Sequence, residues 1–168
     1  MSSNQYSIYS RFATYPILFK LIQANPIIGL GFANYSHYTS LYPILGWYVS
    51  FNSHNNYMDI IAQTGFIGLI IFLGLIIAIG LRGLKLRKYK VDGFSLGYIN
   101  ACLGGLVGML ISGMFGDWFL PYLYNIGIPG FRSSVFAWIF IGGLLALGQI
   151  IDRNKSEANS ITVLNPKF

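Results

Sequence analysis

The chain has 168 residues, of which 54% are hydrophobic, 17% aromatic and only 10% charged, with a mean hydropathy of +0.56. A soluble domain carries about 25% charged residues, so a water-covered globule, a disordered chain and a coiled coil are excluded, and the lone Cys102 excludes a disulfide scaffold. An all-α integral membrane protein is what remains, and in such a chain a net charge of +6 reports on topology rather than on nucleic acid.

Residues 1–59 precede any stretch able to span a bilayer. The first ten are polar and expected to be irregular. Ile8, Phe12, Tyr15, Phe19 and Ile22 then recur at spacings of four, three, four and three, one face of an amphipathic helix, with Ser10, Thr14, Lys20 and Gln23 mostly on the other. Pro16 is expected to kink this helix or begin its regular part, and Asn25-Pro26 to end it. A helix of this kind lies along the outer leaflet or against the spans. The glycines of Ile28-Gly29-Leu30-Gly31-Phe32 mark a turn where backbone meets another group closely. Tyr35, Tyr38, Tyr42, Trp47 and Tyr48 follow, suited to anchoring at the membrane boundary or to stacking on sugar rings. His37, among them, reads as a solvated polar residue.

Ser53-His54-Asn55-Asn56-Tyr57 stands at the start of the first span. Ser53 or Asn55 can cap the helix, and its first N–H groups are expected to point outward free. The positive end of a helix attracts phosphate and disfavours a protonated imidazole, which would keep His54 available as a base. The alternative is a histidine that only solvates a helix cap. Asp59, four positions beyond Asn55, either faces the site or pairs with a cation at the interface. No second His, Cys or carboxylate stands at metal-ligand spacing, so no metal is expected.

Three charge-free runs meet the requirement of about 20 apolar residues for a crossing. They are residues 60–81, 93–116 and 133–151. The second contains Gly104 and Gly108 in a G-x-x-x-G spacing that reads as close helix packing. Arg82, Lys85, Arg87, Lys88 and Lys90 follow the first run, and Arg153, Lys155 and Lys167 follow the third. Eight of the eleven basic residues thus lie on one side, against Arg11, Lys20 and Arg132 on the other. The positive-inside rule makes residues 1–59 an extracytoplasmic loop with an amphipathic helix. Residues 60–168 form a three-span region whose basic connector, 82–92, and tail, 152–168, are cytoplasmic, as is the carboxyl terminus. In the outward loop from 117 to 132, Trp118 and Tyr122 suit an interfacial belt and Asp117 suits a sugar hydroxyl, with Pro121, Gly127, Pro129 and Gly130 breaking the helix. An outward segment with no leader or earlier anchor is the expectation for the last part of a longer polytopic protein. The spans contain no Asp, Glu, Lys, Arg or His, which weighs against an ion-coupled carrier. A non-enzymatic polytopic subunit for transport or assembly is the alternative from another class.

Arg11 on a helix ending at Asn25-Pro26, the Ile27-Ile28-Gly29-Leu30-Gly31-Phe32 turn, Ser53-His54-Asn55-Asn56-Tyr57, and Gln63-Thr64-Gly65-Phe66-Ile67-Gly68 come in an order that resembles the O-antigen ligase and polymerase superfamily of bacterial membrane glycosyltransferases. The resemblance covers roughly residues 10 to 80, with Tyr15 standing where the family often has Trp. It implies a GT-C-like multi-span fold in the bacterial cytoplasmic (inner) membrane. It implies transfer of a glycan from a polyprenyl-diphosphate carrier to an acceptor sugar hydroxyl during O-antigen, lipopolysaccharide or exopolysaccharide assembly. The partners implied are that donor, a glycan or lipid-linked acceptor and membrane lipids, with no nucleic acid, nucleotide sugar or essential metal. On this resemblance His54 and Arg11 are catalytic: Arg11 holds diphosphate oxygens and His54 takes the hydroxyl proton. Asn55, Asn56, Asp59 and Lys20 would contact substrate. A truncated, inactive remnant of such an enzyme is a further alternative.

Overall fold

Each of the three apolar runs becomes a helix. The computed structural model describes residues 3–32, 34–48, 53–89, 91–120 and 123–164. In chain order these form α1 (Ser3–Ala24), α2 (Asn34–Thr39), β1 (Pro43–Ile44), β2 (Trp47–Tyr48), α3 (Asn56–Leu86), α4 (Gly93–Ser112) and α5 (Leu123–Leu164). The protein is an all-α membrane protein: α3, α4 and the Ser134–Glu157 part of α5 are each long and apolar enough to cross a bilayer. Their shared core joins Ile76, Ile79 and Leu86 of α3 to Ile99, Cys102 and Leu106 of α4 and to Ile141 and Leu144 of α5. Ile70, Ile71, Ile77, Leu81, Phe136 and Ile139 instead face outward, a shell that only hydrocarbon solvates well.

The span boundaries differ from the sequence expectation at two places. Helix α4 stops at Ser112 rather than at 116, and residues 113–120 fold back as a loop. Helix α5 begins at Leu123, so Gly127, Pro129 and Gly130, expected in a loop, lie inside a helix. A proline removes one backbone donor, and here the loss does not end the helix. Gly104 and Gly108 also depart from expectation, because a Cβ added at either would meet nothing within 4 Å. Helix α4 packs through Ile99, Cys102 and Leu106, which leaves these glycines on the other face.

Helix α3 is two arms. Gly65 has φ 65° and ψ −170°, a conformation no helix contains, and it separates residues 56–64 from residues 66–86. In a straight helix Tyr57 and Phe72 would stand about 22 Å apart along the axis. Their ring centroids are 6.5 Å apart, so the short arm folds back beside the long one. The α1–α2 turn makes this fold possible. Unbroken, α3 would pair Phe66 N–H with Ala62 O and Ile67 N–H with Gln63 O. Instead Phe66 N–H donates to Pro26 O (2.8 Å) and Ile67 N–H to Ile27 O (3.3 Å), while Ala62 O and Gln63 O accept from Leu30 N–H and Gly31 N–H at 2.9 Å each. These four hydrogen bonds satisfy the groups that the two interrupted helical pairs would otherwise leave open. The expected close approach at Gly29 is thereby located. A Cβ at Gly29 (φ 70°) would strike the backbone of Gln63, and one at Gly65 would strike that of Ile27.

Helix α1 begins at Ser3, earlier than expected, runs through Pro16 and ends at Ala24. Its buried face is Thr14, Ile17, Leu18, Leu21 and Ile22, not the stripe read from the sequence, for Phe12 and Phe19 are 69% and 54% exposed. The helix is apolar on two sides. Its smaller aliphatic side chains fit against Ala62, Met58 and Ile61 of the short arm and against Ile44 of the hairpin, and its phenylalanines face outward. The β1–β2 hairpin, unexpected from the sequence, turns at Leu45 (φ 49°) and Gly46 (φ 88°), which is the primed geometry two-residue hairpins favour. Trp47, Tyr48 and Trp118 are exposed, whereas Pro121 and Tyr122 lie outside the described residues, as does the side chain of Tyr35.

Candidate active site

Asn55 is the N-cap of the short arm. Its backbone is extended (φ −148°, ψ 104°), and its Oδ1 accepts from Tyr57 N–H (3.0 Å) and Met58 N–H (3.2 Å). Asn56 N–H donates to Gly113 O at 2.8 Å. The free N–H groups expected at this helix start are therefore occupied, and a phosphate would have to displace the cap to reach them. Beneath the cap, Ser53 Oγ accepts from Asn55 N–H (3.0 Å) and its hydroxyl donates to Asp59 Oδ1 (2.6 Å). Both Ser53 and Asp59 are buried.

This turn forces His54 into the left-handed region, φ 51°, which side chains other than glycine rarely adopt. Strain of this kind persists where the surroundings over-determine it, and such positions cluster at working sites. Here it presents the imidazole to the loop after α4. His54 Nδ1 lies 3.0 Å from Oδ2 of Asp117, a carboxylate 63 positions away. The Asp117 side chain is 8% exposed and that of His54 43%, so a buried carboxylate meets a ring that solvent or substrate can reach. An ionised carboxylate only accepts hydrogen bonds. It therefore selects the tautomer with the proton on Nδ1 and places the basic lone pair on Nε2.

Asn56 holds the Asp117 loop in place. Its N–H is bonded to Gly113 O, and its Oδ1 accepts from Phe119 N–H at 2.9 Å, so it clamps the loop on both sides of Asp117. Phe119 is fully buried, with ring centroids 5.1 Å from Phe72 and 5.2 Å from Trp138, and its carbonyl accepts from Trp138 Nε1 at 2.8 Å. Tyr57 adds a bond from its hydroxyl to Leu110 O (2.8 Å). The loop is thus tied to all three long helices.

Among the described side chains read from the sequence, His54 combines exposure with a partner suited to acid–base chemistry. Asn55, Asn56 and Asp59 gather around it as cap, loop clamp and buried anchor. Lys20 is exposed on α1, on the face away from Leu18 and Leu21. Arg11 lies on α1 with its side chain outside the described residues. Asp117, read as a sugar ligand, proves to be the partner of His54. Its distance in sequence hid that pairing, and the one available signal was an acidic residue on the loop facing the same side as His54. Among the described residues no three His, Cys, Asp or Glu side chains converge as a metal site.

The family model described as O-antigen ligase matches residues 2–73, from α1 through the turn, the hairpin, His54 and the break in α3. The chain therefore carries an O-antigen ligase-related segment, and Asp117 lies beyond it. Comparison with curated proteins and with solved structures gives no match.

Proposed function

We propose that this chain, through its O-antigen ligase-related segment, transfers a glycan from a polyprenyl-diphosphate carrier to a sugar hydroxyl of a glycan or lipid-linked acceptor, on the outer side of the bacterial cytoplasmic membrane. The observation that carries this reading is the 3.0 Å contact of His54 Nδ1 with Asp117, at the end of a membrane helix. Glycosyl transfer from a diphosphate needs a base for the attacking hydroxyl and stabilisation of the departing charge. The acceptor oxygen attacks C1 of the donor sugar as His54 Nε2 takes its proton. The C1–O bond to the diphosphate breaks, and the diphosphate leaves with the electron pair. Asp117 stabilises the imidazolium that forms. Arg11 is assigned to the diphosphate, since its planar fork matches phosphate oxygens and keeps its charge at any working pH.

A cleft of about 460 Å³ supports a lipid-borne donor. It opens in the crook of α3, between Ile60 and Thr64 of the short arm and Ile67, Ile71 and Leu75 of the long arm, with Leu120 of the Asp117 loop as one wall. This apolar lining suits hydrocarbon attached to a phosphate held near His54. The test is His54→Ala in the gene that encodes this chain, with surface polysaccharide resolved by electrophoresis. Loss of the assembled glycan at unchanged membrane levels is expected, and an unaltered glycan pattern would remove His54 from the reaction.

A further inference from the structure

The far end of the helices carries a second built cavity, of about 620 Å³. Lys88, Tyr89, Val91, Asp92 and Ser95 of the α3–α4 connector and the start of α4 form one side. Leu147, Ile150, Ile151, Asn154 and Lys155 of α5 form the other. Its floor is aliphatic and its rim polar, the profile of a site that straddles the hydrocarbon boundary.

The charges on that rim are unbalanced. The protein has five acidic residues, three of them at this end, and each is engaged. Asp152 pairs with Arg82 and Glu157 with Arg153. Asp92 caps α4, accepting from Ser95 Oγ (2.6 Å) and Ser95 N–H (2.9 Å), and these bonds hold its carboxyl below the ordinary range, the hydroxyl contributing most. Lys155 Nζ stands 4.0 Å from the centroid of the Tyr89 ring, which fixes its charge at the rim without neutralising it. Among the described residues no carboxylate pairs with Lys88 or Lys155.

We infer that this cavity binds the headgroup of an anionic phospholipid, its phosphate between Lys88 and Lys155 and its first acyl carbons on Val91, Leu147, Ile150 and Ile151. A lipid fits better than a free anion because the floor offers hydrocarbon contacts that a dissolved phosphate cannot use. The site depends on the membrane assignment and not on glycan transfer.

The experiment uses the purified full chain in mixed micelles with equal amounts of phosphatidylglycerol and phosphatidylcholine, with retained lipid counted by native mass spectrometry. The wild type should retain phosphatidylglycerol in preference, and each lysine removed in Lys88→Gln and Lys155→Gln should lower that preference about fivefold. Lys155→Arg, which keeps the charge, should retain it, as should Arg132→Gln at the other end. Equal melting temperatures in phosphatidylcholine alone would show that the glutamine variants are folded. Equal retention of both lipids by the wild type, or an unchanged preference in the double glutamine variant, would overturn the assignment. Displacement of the lipid by inorganic phosphate at low millimolar concentration would also overturn it, in favour of a soluble anion.

Discussion

At the scale of single residues, the dyad separates a chemical role from a structural one. If Asp117 fixes the tautomer of His54, then Asp117→Asn should lower the transfer rate by about 10²–10⁴, the range of general-base assistance, with little change in apparent acceptor affinity. A full-rate variant in a reconstituted transfer assay would exclude the orienting role. Asn55→Ala should behave differently. It removes a cap worth about 1 kcal/mol and lowers the melting temperature, while rate per folded molecule stays close to wild type. His54→Gly is the sharpest case, because glycine accepts φ 51° without strain. The relief of strain offsets part of what the buried Asp117 loses with its partner, so the variant should abolish transfer while still unfolding cooperatively in detergent, and transfer at the wild-type rate would exclude His54 as the base. His54 was singled out in the sequence as a histidine among capping residues at a span, and its catalytic assignment came from the resemblance to the O-antigen ligases. Asp117 was not legible as its partner, since the contact bridges 63 positions and depends on a clamp made by Asn56. The bonds of Asn56 to Phe119 and of Asp59 to Ser53 were not legible for the same reason: sequence displays polarity but not which neighbour meets it.

At the scale of elements, the exchange of backbone bonds between the α1–α2 turn and the break in α3 sets where the site can be. Without it α3 would continue straight, and His54 would stand far from the loop that carries Asp117. Among the described residues, Gly29 and Gly65 are the two glycines where any side chain would collide with the opposing backbone. Gly29→Ala and Gly65→Ala should each destabilise the protein by about 2–4 kcal/mol, the sum of left-handed strain and the loss of at least one buried backbone bond. Gly46 has a similar φ but nothing within 4 Å, so Gly46→Ala should cost only the strain, about 1–2 kcal/mol. Thermal unfolding in detergent measures the difference, and equal losses at all three positions would mean that the interlock contributes nothing beyond local conformation. Glycines in the sequence announced the turn, yet not its counterpart, because a glycine-containing apolar run is compatible with an unbroken span. The amphipathic face of α1 was misassigned for a related reason. Phe12 and Phe19 are its largest apolar groups, and in water they would be buried, but at a bilayer edge the exposed face is apolar too.

At the scale of the whole molecule, hydropathy located the three crossings because the bilayer filters on length and apolarity alone, and neither depends on tertiary contacts. What hydropathy could not supply is the level of the site. The long arm of α3, residues 66–86, is about 31 Å long, close to the thickness of the hydrocarbon layer. Gly65 stands at one end of this arm and the Arg82–Lys88 cluster at the other. Since Tyr57 lies against Phe72, the short arm runs back beside the long one rather than beyond it. On the positive-inside rule the His54 face is expected outside. Cysteine labelling can decide this with two exposed positions at opposite ends, Trp47 in the hairpin and Arg87 after α3, in a Cys102→Ala background. Trp47→Cys should react with a membrane-impermeant maleimide on intact cells, and Arg87→Cys only after the inner membrane is opened. The reverse pattern would put the dyad in the cytoplasm, where a lipid-linked glycan already carried across the membrane is out of its reach, and transfer by His54 would fall with the topology.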